Sequence, residues 1–343
     1  MESKAQIGYN TRVLSFRARI AERSPVRRSN ANPILTRQDV PDVPPEIVDV
    51  TSVFNPGAIR LGGRYTLLLR VQTRGRQTVL MAADSDDGER FAVRPARVEI
   101  EGLDAVRETI HHVYDPRLSE IDGTIYMVFA ADVDGGCRLG IAGSEDLGRF
   151  RLVSFCEGTD SRNGVLFPER IGGRYLRLER PNLVAVEGGV LSGDRIMLAE
   201  SDDLVRWDPV GPVMGGRPHY WDELIGSGPP PVKTRDGWLH VYHGVARHFG
   251  AGIYQAGVVL LDLEDPTRII ARGGSNILEP RELYEQVGQV PNVVFPGGMV
   301  TERVDHEGFA RPDSLVRIYY GAADTCVGLA LSTIDELLGA CHG

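Results

Sequence analysis

Short runs of apolar, β-branched and aromatic residues recur along the chain, each opened by a turn dipeptide and none long enough for an extended amphipathic helix. Gly62-Gly63 precedes RYTLLLRV, Asp122-Gly123 precedes TIYMVFAA, Gly172-Gly173 precedes RYLRLER and Asp236-Gly237 precedes WLHVYHGV. A turn dipeptide ahead of such a run is the signature of a hairpin strand. A second pattern follows these strands: AADSDDGERF (82–91), AGSEDLGRF (142–150) and LAESDDLVRW (198–207), with looser copies in VLLDLEDPTRI (259–269) and ALSTIDELL (330–338). Each reads as a strand ending in a Ser or Asp turn.

Equivalent strands then start at Arg64, Thr124, Arg174, Trp238 and Val316, at intervals of 60, 50, 64 and 78 residues. Five degenerate copies of a four-stranded unit predict an all-β, five-bladed β-propeller, whose sheets bury both faces against neighbouring blades. A β-helix has a far shorter period, and a sandwich lacks a superperiod of roughly 60 residues. The organisation expected is a basic N-terminal arm over 1–40, suited to an oligomer contact, and a single propeller over 41–343.

Composition narrows the class. The 343 residues include 40 Gly and 21 Pro, in keeping with many tight turns, and 42% hydrophobic with 25% charged residues fits a folded chain. No window approaches ~18 consecutive apolar residues, and the first twenty lack an apolar core followed by a cleavage site, so no membrane contact and a cytoplasmic location are expected. Cys137, Cys156, Cys326 and Cys341 are far apart, which predicts reduced thiols and no zinc site. The net charge of −9 argues against nucleic acid as a partner. The exception is residues 1–40, where eight basic side chains face three acidic ones; a contact with an acidic neighbour or second subunit suits this stretch better than RNA, because no aromatic residues interleave for stacking.

Phosphate-binding loops, dinucleotide fingerprints, nucleophile elbows and the zinc-protease motif are all absent. What stands out is polar residues where strands should be apolar. Asp115 precedes Pro116 and Arg117, either a plain turn starter or a general acid on an inner-rim loop. Arg162 and Asn163 precede VLFPERIGGRY and Arg180 ends RYLRLER, so two guanidinium forks could meet an anion, or pair with Glu169 and Glu179. Tyr242 and His243 interrupt a third strand, Asp324 ends a fourth, and Asn55 and Arg70 do the same in the first repeat. Polar groups at corresponding places in several blades predict a ring around one pocket.

NPG at 55–57, YDPR at 114–117, RNGVLFPERIGGRY at 162–175, ERP at 179–181, GSGPPPVKTRDGWLHVYHG at 226–244, PNVVFPGG at 291–298 and YYGAADTCVGLA at 319–330 together resemble glycoside hydrolase family 130. The motifs span roughly residues 30–335 in family order. The resemblance implies a five-bladed propeller and β-mannoside phosphorolysis or hydrolysis. It implies that Asp115 is the general acid, acting through the sugar's own 3-hydroxyl. It places Arg162, Arg180 and His243 at phosphate, with Tyr242 beside them, and Asn55, Arg70, Asn163 and Asp324 around the mannosyl unit.

Phosphate is itself an anionic nucleophile, so a phosphorylase needs an acid and cations but no carboxylate base. The activity expected is therefore an inverting β-mannoside phosphorylase that takes inorganic phosphate as co-substrate, with no metal or organic cofactor, and releases α-mannose 1-phosphate. Many phosphorylases of the family carry a Lys just before the IGxGPPP segment. This chain has Trp221-Asp222-Glu223-Leu224-Ile225-Gly226 instead, which leans toward β-1,2-linked substrates and keeps a hydrolase using Glu223 or Glu179 as base, or a silent sugar-binding propeller, as alternatives.

Overall fold

The computed structural model describes residues 24–156, 158–185, 191–248 and 251–343. Five antiparallel sheets follow one another along the chain. The first blade is Val50–Leu61, Arg64–Thr73, Thr78–Ser85 and Ala92–Arg97. The second is Ile110–Ile121, Thr124–Val133, Gly136–Ser144 and Arg149–Phe155, with Glu99–Glu101 added in parallel at its outer edge. Ser161–Leu166, Tyr175–Pro181, Arg195–Ser201 and Asp208–Gly215 form the third. In the fourth, the inner strand is split into Leu224–Ser227 and Val232–Thr234, both paired with Gly237–His248, and Ala251–Leu261 and Ile269–Arg272 follow. The fifth is Val294–Thr301, Leu315–Ala322 and Cys326–Thr333, completed by Arg27–Arg28 from the other end of the chain. The all-β, five-bladed propeller expected from the periodicity is the fold, and the five strand starts lie within one residue of those expected.

Strand alternation explains why the second strands read as continuous apolar runs. In RYTLLLRV, Leu67 and Leu69 pack with Tyr319 and Leu329 of the fifth blade, whereas Leu68 packs with Leu118, Met127 and Phe129 of the second. In WLHVYHGV, Leu239 and Val241 face the fifth blade, while Trp238 and Tyr242 join Leu176 and Leu178 of the third. The core is thus a set of blade-to-blade interfaces around the axis. The Ser/Asp turns form as expected: the Ser85, Ser144 and Ser201 hydroxyls each accept backbone N–H groups two and three residues on. Asp87, Asp146 and Asp203 each accept two more, which holds their carboxyls below the ordinary range.

The sequence assigned residues 1–40 to an arm. The first 23 lie outside the described residues, and from Ser24 onward the chain is part of the propeller. Arg27 and Arg28 pair with Leu331 and Ala330, and Val26, Leu35 and Val40 are buried. Arg28 is anchored by the fully buried Glu285, whose carboxylate accepts from Arg28 Nε and Nη2 (both 2.7 Å), the Tyr320 hydroxyl (2.8 Å) and the Arg281 and Glu282 amides. No helix among the described residues is long and apolar enough to cross a membrane.

Candidate active site

The innermost strands of four blades carry a bulge at the same level, between Phe54 and Gly57, Tyr114 and Arg117, Arg162 and Val165, and Pro296 and Gly298. A bulge turns a side chain out of the alternating pattern and bends the strand. In the first three it falls on Asn55, Asp115 and Asn163, with φ of 45°, 53° and 53°. Asn and Asp are the non-glycine residues that tolerate this left-handed conformation best. Asp324, at the hairpin after Leu315–Ala322, has φ 49°. The backbone therefore aims these four side chains at one end of the channel, where the hairpins between second and third strands turn.

Asp115 is gripped on one oxygen. Its Oδ1 accepts from Asn55 Nδ2 at 2.9 Å and Arg70 Nη1 at 3.2 Å. Arg70 itself lies over the rings of Phe54 (4.7 Å) and Tyr114 (4.5 Å), a stacking that suits a planar guanidinium. Asp324 completes this end: burial pushes its carboxyl up to about 6, with Asp115 adding to the rise and Arg70 opposing it.

The second group is cationic. Arg162 and Arg180 stand directly opposite one another on adjacent strands. Arg162 Nη2 donates to Asp132 Oδ1 at 3.2 Å, and the same oxygen accepts from the Tyr114 hydroxyl at 2.6 Å. Arg180 has only a neutral partner, Asn182 Oδ1 at 3.0 Å, which is tied in turn to Asp160. Burial, reinforced by Arg162, brings Arg180 down to about 10. His243 is fully buried against Phe295, with ring centroids 4.6 Å apart, and burial followed by the charges of Arg180 and Arg117 holds it neutral. Neither of its ring nitrogens has a well-formed hydrogen bond, and the Nε of both arginines is likewise unpartnered. A Cβ at Gly226 would lie 2.4 Å from the His243 ring and 2.6 Å from Asn163 Oδ1, so glycine there is what lets these two approach.

The structure thus brings Asn55, Arg70, Asp115 and Asp324 together, and Arg162, Asn163, Arg180 and His243 beside them. Tyr242 is the exception. One residue from His243 on an extended strand, it points to the opposite face, stacks on Trp221 and donates to Asp222 Oδ2 at 2.9 Å. Asp222, fully buried, also accepts from Arg217 and Arg272. The expected phosphate role for Tyr242 is corrected to an anchor of the 217–222 loop.

Four contributors escaped the sequence reading: Asp132, Asn182, Tyr254 and Phe295. Tyr254 is close enough to feel Arg162, Arg180, Asp115 and Asp324 together. Asp132, Tyr254 and Phe295 reach the site from neighbouring blades and leave no local motif, whereas Asn182 lies two residues after Arg180. The alternative bases are both engaged. Glu223 accepts from Arg247 at 2.5 Å, which lowers its pKa, and Glu179 accepts from Arg177 at 2.5 Å. Among the described residues no His/Cys/Asp/Glu group is arranged to hold a metal.

Residues 25–342 match the family model described as beta-1,4-mannooligosaccharide phosphorylase. The chain is similar to the β-1,4-mannooligosaccharide phosphorylase of Ruminococcus albus, with 30% identity across 91% of this chain and 89% of that one. It is equally similar to the 1,2-β-oligomannan phosphorylase of a Thermoanaerobacter species, with 31% identity across 83% and 91%. Among solved structures, the β-1,2-mannobiose phosphorylase of Listeria innocua superposes with a TM-score of 0.76 at 24% identity, across 92% of this chain and 99% of that one, and shares the fold. With the family model spanning nearly the whole described chain, this protein belongs to glycoside hydrolase family 130.

Proposed function

We propose that the protein is an inverting β-mannoside phosphorylase. Asp115 donates its proton toward the glycosidic oxygen, by way of the sugar's 3-hydroxyl in the route the family resemblance implies, as the C1–O bond breaks. A phosphate oxygen held by Arg162, Arg180 and His243 forms the new bond to C1 from the opposite face, giving α-mannose 1-phosphate. Asn55, Arg70, Asn163 and Asp324 hold the mannosyl unit.

The observation that carries this reading is the pair of opposed arginines, each with a buried Nε free of partners, one of them lacking any carboxylate. Buried guanidinium groups without counter-charge call for an anion. The hydrolase alternative needs a free carboxylate base, and Glu223 and Glu179 are both held by arginines. Inorganic phosphate is the co-substrate, and neither a metal nor an organic cofactor is required. Relatives of both linkages are about equally similar, so the lean to β-1,2 rests on the Trp221-Asp222-Glu223 segment alone. A cytoplasmic homo-oligomer contacting through the basic N-terminal residues is part of the proposal; removing residues 1–23 should lower the mass in solution.

Purified protein incubated with β-1,2- and β-1,4-mannobiose, with and without phosphate, decides the matter when the products are followed by NMR. Phosphate-dependent α-mannose 1-phosphate is expected. Free mannose formed without phosphate would replace this reading by the hydrolase, and no turnover under any condition by the silent binding propeller.

A further inference from the structure

Arg117 is a buried cation of the channel, among the described residues, that the proposed chemistry leaves unused. It is 1% exposed, lies on the inner strand of the second blade two residues after the acid, and has no carboxylate on its guanidinium. Its hydrogen bonds go to carbonyls, and its Nη2 is buried without a partner. Nη1 donates to the Asp115 and Pro116 carbonyls, both at 3.2 Å, and Nε reaches across the axis to the Gly228 carbonyl of the fourth blade at 2.8 Å. The guanidinium also lies 5.4 Å from the ring centroid of Phe295 in the fifth. Burial draws its pKa down to about 10, so this placement is costly to the fold.

We infer that Arg117 is the positioning residue of the acid: it clamps the Asp115-Pro116 bulge by its two carbonyls and fixes it to the fourth and fifth blades. The inference rests on Asp115 being the acid. Its physical basis is that φ 53° at Asp115 is a strained conformation that persists only when the surroundings over-determine it. The planar fork spans three carbonyls at once, which a lysine ammonium on a flexible stem does not. The first blade confines the bulge too: a Cβ at Gly57 would lie 2.6 Å from the Pro116 carbonyl oxygen. Cation and glycine thus meet at the same Pro116 carbonyl.

The test compares Arg117→Lys and Gly57→Ala with the wild type on β-mannobiose and on 4-nitrophenyl β-mannoside, whose phenolate departs without a proton. A misplaced acid should lower kcat on mannobiose by at least ~50-fold, and on the aryl mannoside by less than ~5-fold, since general acid catalysis is worth about 10²–10⁴-fold only where the leaving group needs the proton. The KM for phosphate should stay within about two-fold in both variants. Equal losses on the two substrates, or a phosphate KM that rises with the fall in kcat, would overturn the assignment in favour of a general structural role. Gly57→Ala moves the same carbonyl and leaves the buried guanidinium unaltered, so it decides the question even if Arg117→Lys folds poorly. Full activity in Asp115→Asn would instead show that the acid itself is misassigned.

Discussion

Buried charge is treated in opposite ways inside and outside the channel. Outside it, Glu285 and Asp222 are completely enclosed and surrounded by donors: Arg28, Tyr320 and two backbone amides for the first, Arg217, Arg272 and Tyr242 for the second. Inside it, Arg70, Arg162 and Arg180 keep an unpartnered Nε, Asn55 and Asn163 an unpartnered Oδ1, and His243 two bare nitrogens. A satisfied network stabilises a fold and specifies one packing, whereas a buried polar atom without a partner costs about 1–3 kcal/mol. The partnered clusters hold the ring together, and in the proposed function substrate and phosphate supply the bonds that these channel atoms lack.

That contrast can be broken by mutation, because the two regions should respond to different measurements. The largest effect belongs to Asp115→Asn, expected to lower kcat on mannobiose by about 10²–10⁴-fold. Its thermal midpoint should stay near that of the wild type, as followed by circular dichroism. Next comes Glu285→Ala, which strands Arg28 and should cost about 3–5 kcal/mol in denaturant unfolding with little change in kcat of the folded enzyme. If that variant lost activity without losing stability, the division between the regions would be wrong.

Arg162→Ala and Arg180→Ala should each raise the KM for phosphate about 10–100-fold, the worth of one or two charge-assisted hydrogen bonds, with the mannoside KM far less affected. Initial rates over a phosphate series check this. The smallest effect is one of sign. Asp324 has its folded pKa raised from 3.8 to about 6, so the folded state binds the extra proton, and stability is lost as pH rises from about 4 through about 6. Asp324→Asn should therefore melt like the wild type at pH 4 and be more stable at pH 7, by of order 2 kcal/mol, while binding mannoside less well. A variant less stable at pH 7 would place Asp324 with the structural clusters.

The repeat was legible in the sequence because each blade repeats the same local grammar. Turn dipeptide, apolar run and Ser/Asp turn are local signals, and Arg64 and Thr124 open strands as their glycine turns demand. Asn55, Asp115 and Asn163 stood out as polar interruptions but not as bulges: Asp115, expected on a turn or rim loop, lies within the strand Ile110–Ile121. Tyr242 shows where the reading failed: it sits beside His243 in sequence, yet alternation sends the two to different blade interfaces. Asp132 was out of reach for the converse reason: it meets Arg162 from the neighbouring blade, an approach that no single segment encodes. Asn182 lies only two residues beyond Arg180, so its contact was local, and no motif marked it.

The strand Arg27–Arg28, seated against Ala330 and Leu331, also sets the order of events during biosynthesis. It leaves the ribosome early, but its partner is made some 300 residues later, a delay of roughly 15–60 s at about 5–20 residues per second. Until then the nascent ring stands open, with the apolar faces of its first and fourth blades uncovered. The fifth blade, built from Arg27–Arg28 and three strands over 294–333, makes synthesis of that last stretch the event that closes the propeller.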